Sequence, residues 1–366
     1  MSFFETIERY RDFDFADAIG RAGEADIARA LSAERPGPED FLALLSPAAE
    51  GRLEDMARKS QEITLRQFGR VIQLYAPLYI SNYCVNECAY CGFRQGTQIP
   101  RMKLTMEEIE REARIIAATG IRHILVLTGE SRRESPVSYI GESIELLREH
   151  FSSVSAEVYP VDEPEYAELV ASGLDGLTIY QETYDENVYD ALHRGPKRDY
   201  RWRLDAPERA CAAHVRTVGV GALLGLADWR RDAFLTGLHA AWLQDRFPEI
   251  EVSVSLPRLQ PQEGHYTSPH EVGDKELVQI MCAFRLFIPR AGITVSTRER
   301  GYMRDNLVGL GVTRMSAGSH TEVGGYAQGP RTTGQFEIAD HRSVEEVSAM
   351  IYSRGYQPVF KDWQNL

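Results

Sequence analysis

The chain has 366 residues, 43% of them hydrophobic and 26% charged, which is typical of a globular protein that can bury a large core. Its 54 acidic and 41 basic residues give a formal net charge of −13, which argues against nucleic acid or an anionic membrane as the main partner. The longest uncharged apolar run, residues 218–227, is too short to span a bilayer, and the charged N-terminus lacks the apolar region of a secretory signal.

The first 70 residues follow the spacing of amphipathic helices. Four stretches carry this pattern: residues 15–19, 25–31, 41–45 and 47–68. Pro36, Gly37 and Pro38 interrupt the series, as such residues do between helices. We therefore predict a helical N-terminal extension over residues 1–70.

From residue 71 onward, short apolar runs alternate with amphipathic segments. The predicted strands are residues 78–82, 123–128, 155–159, 176–180, 217–222, 251–256, 293–297 and 312–316. The main predicted helices between them are residues 106–118, 140–150, 163–172, 206–213, 231–245 and 274–287. Such an alternation indicates βαβ units and a parallel sheet. We predict an α/β fold in which residues 71–366 form a TIM-like (βα) barrel, complete or partial, with a C-terminal tail.

Polar residues gather where the predicted strands end. They are Ser81, Asn82, Cys84, Thr128, Glu130, Gln181, Glu182, Arg258, Ser296, Arg298, Ser316 and Ser319. In a (βα) barrel the chemistry takes place at the carboxyl ends of the strands. The pattern therefore predicts an enzyme with its active site at one rim of the barrel.

Three of the five cysteines, Cys84, Cys88 and Cys91, lie within eight residues and directly follow the first predicted strand. This packing does not suit a disulfide framework and indicates a reduced, cytoplasmic protein. Cysteine thiolates are the usual ligands of iron–sulfur clusters. A [4Fe–4S] cluster with three protein ligands leaves one iron open to bind another molecule, and we predict such a cluster here.

A structural zinc site is the alternative for the same cysteines. It would need a fourth ligand, and the histidine nearest to the triplet in the sequence is His123. Cys211 and Cys282 lie in stretches with a helical pattern among small and aromatic residues. We interpret both as core residues rather than ligands.

The cysteine motif and its surroundings resemble a known family. Cys84 to Cys91, with an aromatic residue before the third cysteine, resembles the radical S-adenosylmethionine (SAM) signature. Further resemblance lies in PLYISNYCVNECAYCGF, LVLTGES, IYQETY, WRLDAPERA, VGVGALLGL, VSLPRLQP, STRER, SAGSHTEVGGY and QPVFKDW. Together these stretches, which span essentially the whole chain, resemble the 2-iminoacetate synthase family.

This resemblance implies a radical SAM barrel with a [4Fe–4S] cluster and SAM as cofactors. It implies a lyase that cleaves the Cα–Cβ bond of L-tyrosine to 2-iminoacetate (dehydroglycine) and p-cresol, for the synthesis of the thiazole of thiamin. SAM would be cleaved to 5′-deoxyadenosine and methionine. Another radical SAM lyase of aromatic amino acids, such as a tryptophan lyase or a tyrosine-using cofactor synthase, and a non-catalytic iron–sulfur protein remain alternatives.

The resemblance also assigns cofactor-binding residues. Cys84, Cys88 and Cys91 would bind the cluster. The residues implied for SAM are Tyr90 and Leu256 with Gly221 near the adenine, Thr128, Gly129 and Glu130 at the methionine amino group, Gln181 near the ribose, and Arg203 at the carboxylate. Three alternatives stay open: Arg203 as an exposed helix residue, Glu182 as a solvated residue at a strand end, and Gly221 as a site of close backbone approach.

The substrate side needs a cation for the carboxylate of tyrosine, and a planar guanidinium is the natural choice. We predict that Arg298, at the end of a late strand, binds this carboxylate, with hydrogen bonds from Ser316 and Ser319. Glu182 is a further candidate near the substrate. Arg304 is a poorer candidate, because it lies well into the following helix.

The resemblance further implies partners. A thiazole synthase should consume the unstable iminoacetate, and a flavodoxin or ferredoxin should supply the electron. The maturase that makes CO and cyanide from tyrosine carries a second cluster in a C-terminal region, and this sequence has no cysteine after Cys282. We therefore expect the reaction to stop at 2-iminoacetate. The aromatic residues Tyr356, Phe360 and Trp363 either close the bottom of the barrel, which we favour, or dock a partner.

Overall fold

The computed structural model describes residues 2–327, 329 and 331–361. Nine strands occur in this part of the chain: β1 (Val71–Ser81), β2 (His123–Thr128), β3 (Ser153–Glu157), β4 (Gly176–Glu182), β5 (Thr217–Ala222), β6 (Glu251–Ser255), β7 (Gly292–Val295), β8 (Arg314–Ser316) and β9 (Gln357–Val359). The first eight run parallel in chain order, and β1 pairs with both β8 and β2. The barrel is therefore complete, which confirms the predicted fold.

The first five helices of the described chain precede β1, and the other ten lie between successive strands. They are α1 (Phe3–Glu8), α2 (Phe15–Arg21), α3 (Glu24–Ser32), α4 (Pro38–Leu44), α5 (Leu53–Phe68), α6 (Met106–Ala118), α7 (Val137–Leu147), α8 (Glu163–Ala171), α9 (Glu186–Leu192), α10 (Tyr200–Leu204), α11 (Ala206–Ala212), α12 (Trp229–Arg246), α13 (Asp274–Phe287), α14 (Gly301–Leu307) and α15 (Val344–Ser353). Two short 3₁₀ helices span Pro47–Arg52 and Pro196–Arg198.

Three of these helices begin with a reciprocal cap. In α6 the Thr105 hydroxyl accepts a hydrogen bond from the backbone N–H of Glu108, and the Glu108 carboxylate accepts one from the backbone N–H of Thr105. The same arrangement opens α8 at Asp162 and α15 at Ser343. Because each cap satisfies two backbone donors that the helix leaves open, these sequences fix where the helices start.

The strand bounds differ from the predicted ones mainly in β1, which begins seven residues early. Its first part pairs with β9, from Val71 opposite Gln357, and with β8, from Gln73 opposite Arg314. Residues 71–77 are mostly apolar and show no regular alternation, because this part of the strand has neighbours on both sides. Strand β9 was not predicted, because three residues with a central Pro358 carry no period.

The N-terminal helices pack on the outside of the barrel. The Phe41 ring of α4 stacks on Phe287 of α13, with 4.4 Å between the ring centroids. The side-chain amide of Gln279 donates to the backbone carbonyls of Leu44 and Ser46, at 2.9 and 2.8 Å. The helices and the barrel thus share one continuous core. The division of the chain at residues 70 and 71 stays a prediction.

Long loops follow β1, β6 and β8 and surround the mouth of the barrel at the carboxyl ends of the strands. Within the described residues, no helix is long and apolar enough to cross a membrane. At the tail, β9 closes against β1, Tyr356 is buried and Phe360 packs on the core. Trp363 lies outside the described residues.

Candidate active site

The loop after β1 carries the three cysteines and is held from within by one arginine. The Arg101 guanidinium donates to the backbone carbonyls of Asn82, Phe93 and Arg94, each at 2.7 Å. One side chain therefore ties the start of the loop to the stretch just beyond Cys91. This tie holds a stretch, residues 82–101, that contains no helix or strand.

The three cysteines lie in the part of the loop between the ends that Arg101 holds together. Cys88 is buried, and Cys84 and Cys91 are partly buried. Cys88 packs in a small apolar cluster with Tyr90 and two leucines of the loop after β5. Burial raises the pKa of the Cys84 thiol, and it raises the pKa of Cys88 to about 12 although the nearby Lys197 opposes the shift. Bound iron would have to stabilise the thiolates.

The donor set suits an iron–sulfur cluster better than a single ion. Among the residues that the structure describes, no three His, Cys, Asp or Glu side chains surround a point where one metal ion would fit. A [4Fe–4S] cluster binds each cysteine through a different iron atom, so its thiolates need not meet at one point. Three soft sulfur donors on one fixed loop fit such a cluster.

Tyr90, between two of the cysteines, is held by a buried histidine. Its hydroxyl lies 2.6 Å from Nε2 of His193, and Nδ1 of His193 lies 2.7 Å from the carbonyl oxygen of Tyr189. Burial lowers the pKa of His193 to about 3, so the ring is neutral. Because Nδ1 must donate to the carbonyl, Nε2 accepts the hydrogen bond from Tyr90. The tyrosine ring next to Cys91 is thereby fixed in place.

The end of β2 lies directly against the cysteine loop. The carbonyl of Glu130 accepts a hydrogen bond from the backbone N–H of Val85, at 2.8 Å, and its carboxylate accepts one from the Asn86 amide, at 2.6 Å. The backbone N–H of Gly129 donates to the last carbonyl of β1. The hydroxyl of Thr128 is buried and has no hydrogen-bond partner in the described part of the chain. It is therefore available to a ligand.

A buried ion-pair cluster follows β4. The Glu182 carboxylate lies 2.7 Å from the ammonium of Lys197 and 3.3 Å from the guanidinium of Arg203. Burial opposes ionisation of Glu182, but the two cations outweigh it and hold the pKa of its carboxyl below the usual value. Arg203 also donates to the carbonyl of Tyr180, at 2.6 Å. Both alternatives for this pair are wrong: Arg203 is only 8% exposed, and Glu182 is buried rather than solvated.

The backbone bends where this cluster begins. Glu182 has φ of 73°, a left-handed conformation that is uncommon for a residue with a side chain, and the pairing of β4 with β5 shifts by one residue there. The neighbouring Gln181 donates to the carbonyl of Tyr200, at 3.3 Å. Its carbonyl oxygen is buried and has no partner among the described residues. The bend thus presents an unsatisfied acceptor in the barrel mouth.

Arg298 follows β7 on the opposite side of the mouth. Its guanidinium carbon lies 3.3 Å from the centroid of the Phe336 ring, a cation–π contact. The Ser316 hydroxyl accepts a hydrogen bond from the backbone N–H of Thr297, at 3.0 Å, and so already supports this turn. The hydroxyl of Ser319 is buried without a partner in the described chain. Of the two predicted serines, only Ser319 has its hydroxyl free of hydrogen bonds.

Arg304, the poorer candidate for the substrate carboxylate, has a structural role. Its side chain is fully buried and pairs with Asp340 and with the backbone carbonyl of Ser316. Arg304 therefore stabilises the end of β8 rather than facing a substrate.

A cavity of about 1340 Å³ lies on the β6–β8 side of the mouth and extends toward the groove between α6 and α15. Ser319 and Phe336 line it. The cysteines do not, but two of its lining residues, Leu259 and Tyr266, also pack against the apolar cluster around Cys88. The cavity therefore lies beside the cysteine loop, on the side where Arg298 stands.

Gly221 and Leu256 form part of the barrel wall. Gly221 lies in β5, where it faces the backbone of Ser255 in β6, and Leu256 is buried directly after β6. The close approach at Gly221 agrees with the packing alternative for this glycine. A contact of either residue with adenine stays a prediction.

Four residues at the mouth were missed by the sequence analysis: Glu157, His193, Lys197 and Gln335. Glu157 ends β3 inside the mouth, and burial and the charge of Glu182 raise its pKa to about 7 against the opposing effect of Arg298. The predicted strand, residues 155–159, placed Glu157 within the strand rather than at its end, so the pattern of polar strand ends did not identify it. His193 and Gln335 lie in loops and Lys197 lies in a short 3₁₀ helix, and all three reach the site only through tertiary contacts.

Comparisons with known proteins agree with this geometry. The sequence model of the radical SAM superfamily matches residues 78–235, and that of the Biotin and Thiamin Synthesis associated domain matches residues 255–357. The two matched regions contain the cysteine loop and Arg298, respectively.

Two curated relatives and a solved structure are similar over nearly the whole chain. The chain is 41% identical to 2-iminoacetate synthase of Escherichia coli over 98% of this chain and 96% of that protein. It is 39% identical to the 2-iminoacetate synthase of Salmonella typhimurium over the same shares. The FeFe-hydrogenase maturase HydG from Carboxydothermus hydrogenoformans has a TM-score of 0.85 and 30% identity over 98% of this chain and 82% of that one.

Proposed function

The chain belongs to the 2-iminoacetate synthase family of radical SAM enzymes, and from this premise we propose that it cleaves the Cα–Cβ bond of L-tyrosine. The products are 2-iminoacetate and p-cresol, and SAM is cleaved to 5′-deoxyadenosine and methionine. The match to the domain associated with biotin and thiamin synthesis supports a role in making the thiazole of thiamin.

One observation carries the proposal beyond family membership. The cysteine loop and Arg298 face the same mouth, and consecutive residues of one segment touch both: Gln335 contacts Cys91, and Phe336 contacts Arg298. A cluster site and an arginine available to a carboxylate are thus held side by side. A protein that only carried electrons would need the first and not the second.

Cys84, Cys88 and Cys91 would hold the cluster, and its open iron would bind SAM. When bound, the reduced cluster and SAM together supply the radical that removes a hydrogen atom from the substrate amine. Thr128 and Gln181 offer buried polar atoms without partners, which suit a polar ligand. We assign the methionine amino group to Glu130 and the carboxylate to the region of Arg203.

Arg203 already forms an ion pair within the protein. Its guanidinium pairs with Glu182 and donates to a backbone carbonyl, so it adds only part of its hydrogen-bonding capacity to a ligand. Lys197 adds a second positive charge to the same cluster. The pair of cations around one carboxylate leaves a net positive charge, which favours a carboxylate ligand.

On the substrate side, Arg298 binds the tyrosine carboxylate in our proposal. Among the described residues its guanidinium makes a cation–π contact with the Phe336 ring and has no hydrogen bond or salt bridge, so its donors can turn to the substrate. Ser319 adds a hydroxyl. Glu157, close enough to Arg298 for their charges to interact, accepts a hydrogen bond from the substrate amine. This three-point contact fixes the amine before the reaction.

We further propose that the protein works in the cytoplasm, receives its electron from a flavodoxin or ferredoxin, and passes 2-iminoacetate to a thiazole synthase. The imine hydrolyses in water, which favours direct transfer to the enzyme that consumes it.

The test is anaerobic reconstitution with iron and sulfide, reduction, and addition of SAM and L-tyrosine. We expect p-cresol, 5′-deoxyadenosine, and glyoxylate from the hydrolysed imine. 5′-Deoxyadenosine without p-cresol would point to another aromatic amino acid, with L-tryptophan as the next substrate to try. Neither product from an intact, reduced cluster would contradict the proposal.

A further inference from the structure

A segment after β8, residues 331–338, crosses the cysteine loop, and we call it the strap. The backbone N–H of Gly92 donates to the carbonyl of Gln335, at 3.2 Å. A Cβ atom at Gly92 would lie 2.6 Å from that carbonyl oxygen, so a side chain there would displace the strap. The residue directly after Cys91 is therefore a glycine for a steric reason, and it keeps the strap at the loop.

The side chain of Gln335 reaches the sulfur of Cys91. Its amide nitrogen Nε2 lies 3.7 Å from Sγ of Cys91, within reach of a hydrogen bond to sulfur. Its amide oxygen Oε1 accepts a hydrogen bond from the hydroxyl of Tyr79, at 2.9 Å. A phenol hydroxyl at neutral pH donates, so Tyr79 holds the oxygen on its own side and turns the NH₂ group toward the sulfur.

A donor aimed at a cluster ligand changes the redox balance. Reduction adds negative charge to the cluster and its thiolates, and an N–H group that points at a thiolate stabilises that charge. Hydrogen bonds to the sulfurs are among the features that set the potential of such clusters. The part-buried setting strengthens the interaction, because little water competes for the sulfur.

We propose that Gln335 is a positioning residue that donates a hydrogen bond to the Cys91 thiolate and raises the reduction potential of the cluster. The inference rests on the proposed function, since it requires the [4Fe–4S] cluster on Cys84, Cys88 and Cys91. Tyr79 acts through Gln335 by fixing the orientation of its amide.

The experiment is a redox titration of the reconstituted protein without substrate, followed by the electron paramagnetic resonance signal of the reduced cluster. Gln335→Met and Gln335→Leu introduce an apolar side chain of similar size and so remove the donor. At the midpoint potential of the unchanged protein, we expect the ratio of reduced to oxidised cluster to fall at least threefold in both variants. For a one-electron couple this corresponds to a shift of about 28 mV to lower potential, from about 59 mV per tenfold change.

Two further variants separate the hydrogen bond from a general disturbance of the strap. Thr333→Val changes a residue of the same strap and should leave the potential unaltered. Tyr79→Phe keeps the Gln335 donor but frees its amide, and should give a shift in the same direction that is smaller than that of Gln335→Met. Iron and sulfide content is measured in every variant, so that the potentials refer to the same cluster.

The outcomes distinguish this inference from the proposed function. An unchanged potential in Gln335→Met and Gln335→Leu with full cluster content would overturn the inference alone. So would an equal shift in Thr333→Val, because the effect would then belong to the strap. If the Gln335 variants shift the potential but the unchanged protein forms no p-cresol, the role of Gln335 is supported and the tyrosine reaction is not. A protein that assembles no [4Fe–4S] cluster would overturn both.

Discussion

Arg298 stacks on Phe336 and, among the described residues, has no salt bridge with a carboxylate. If it binds the substrate carboxylate, Arg298→Ala removes two charge-assisted hydrogen bonds, each worth about 1.5 kcal/mol or more. We expect kcat/KM for p-cresol formation to fall by roughly 100-fold, since about 1.4 kcal/mol corresponds to a factor of ten. Product analysis by chromatography measures the loss.

The matched control is Arg300→Ala. Arg300 lies two residues further on, with its side chain 72% exposed in a long ion pair with Asp274. This variant should keep near-normal activity, and Arg298→Ala should keep its cluster spectrum and its ability to bind SAM. Near-normal tyrosine turnover in Arg298→Ala would refute the assignment.

Glu157 predicts a pH dependence. Burial and the charge of Glu182 raise its pKa to about 7, while Arg298, Arg203 and Lys197 act in the opposite direction. The ionised form accepts a hydrogen bond from the substrate amine in our proposal, and that form is lost as the pH falls below 7. We therefore expect kcat/KM to reach a plateau above pH 7 and to fall to about one-tenth of it at pH 6.

Glu157→Gln tests this origin, because the amide cannot titrate. The variant should have a lower kcat/KM at pH 8 and should lose the slope between pH 6 and pH 7. The cluster content must stay constant across the range. A profile of unchanged shape in Glu157→Gln would assign the titration to another group.

At the scale of single elements, β5 shows how closely the strands approach. A Cβ atom at Gly221 would lie 1.9 Å from the backbone oxygen of Ser255 and 2.7 Å from the Tyr180 ring. The backbone of β6 cannot yield without breaking its pairing with β5. We expect Gly221→Ala to lower the free energy of unfolding by about 3 kcal/mol, as overpacking does.

Gly219 in the same strand is the control. A Cβ there would lie 3.0 Å from the Thr178 hydroxyl and 3.2 Å from the Ser253 hydroxyl, and both side chains can rotate. Gly219→Ala should cost about 1 kcal/mol or less. Urea unfolding of the two variants, followed by tryptophan fluorescence, gives the comparison. An equal loss of free energy of unfolding in the two variants would show that the β6 backbone next to Gly221 moves as readily as a side chain does.

The sequence predicts best those strands whose bounds can be recognised from their own residues. Predicted and observed bounds agree for β2 and β5, whose residues are mostly or wholly buried. The start of β1 and the whole of β9 were missed, because their pairing depends on contacts between residues that are nearly 290 apart in the chain, such as Val71 with Gln357. Such a pairing cannot be predicted from the periodicity of neighbouring residues.

The site shows the same limit. The cysteine motif is local and names its own chemistry, and the rim positions follow from strand ends. Lys197 and Gln335 have no such signal. Lys197 pairs with Glu182 from a 3₁₀ helix 15 residues further along the chain, and Gln335 contacts Cys91 across 244 residues. A sequence motif identifies the ligands themselves. The residues that modify the electrostatics around those ligands, such as Lys197 and Gln335, are brought to the site only by the tertiary fold.

For the molecule as a whole, the helical N-terminus and the barrel share one core, and we expect them to unfold together. Phe41 is fully buried against Phe287, Phe234 and Phe284. Phe41→Ala should lower the free energy of unfolding by about 3–5 kcal/mol through the lost contacts and the cavity. It should also shift the transitions seen by far-ultraviolet circular dichroism and by tryptophan fluorescence by the same amount.

Phe13→Ala provides the comparison at the edge of the same helices. Phe13 is 37% exposed and packs edge-on against Phe15. Its loss should cost about 1 kcal/mol or less. Two separate transitions, with only one of them moved by Phe41→Ala, would mean that the helical segment is a domain of its own.

Gln335 and Phe336 are consecutive, so a single peptide unit separates the contact with Cys91 from the contact with Arg298. Consecutive Cα atoms lie about 3.8 Å apart, and no side-chain replacement alters that spacing. The strap therefore tolerates changes of residue type at this point far better than changes of length. After an insertion or deletion between the two residues, the segment could make the contact with Cys91 or the contact with Arg298, but not both. Homologues that act on the same substrate should keep this stretch free of gaps, even where its amino acids vary.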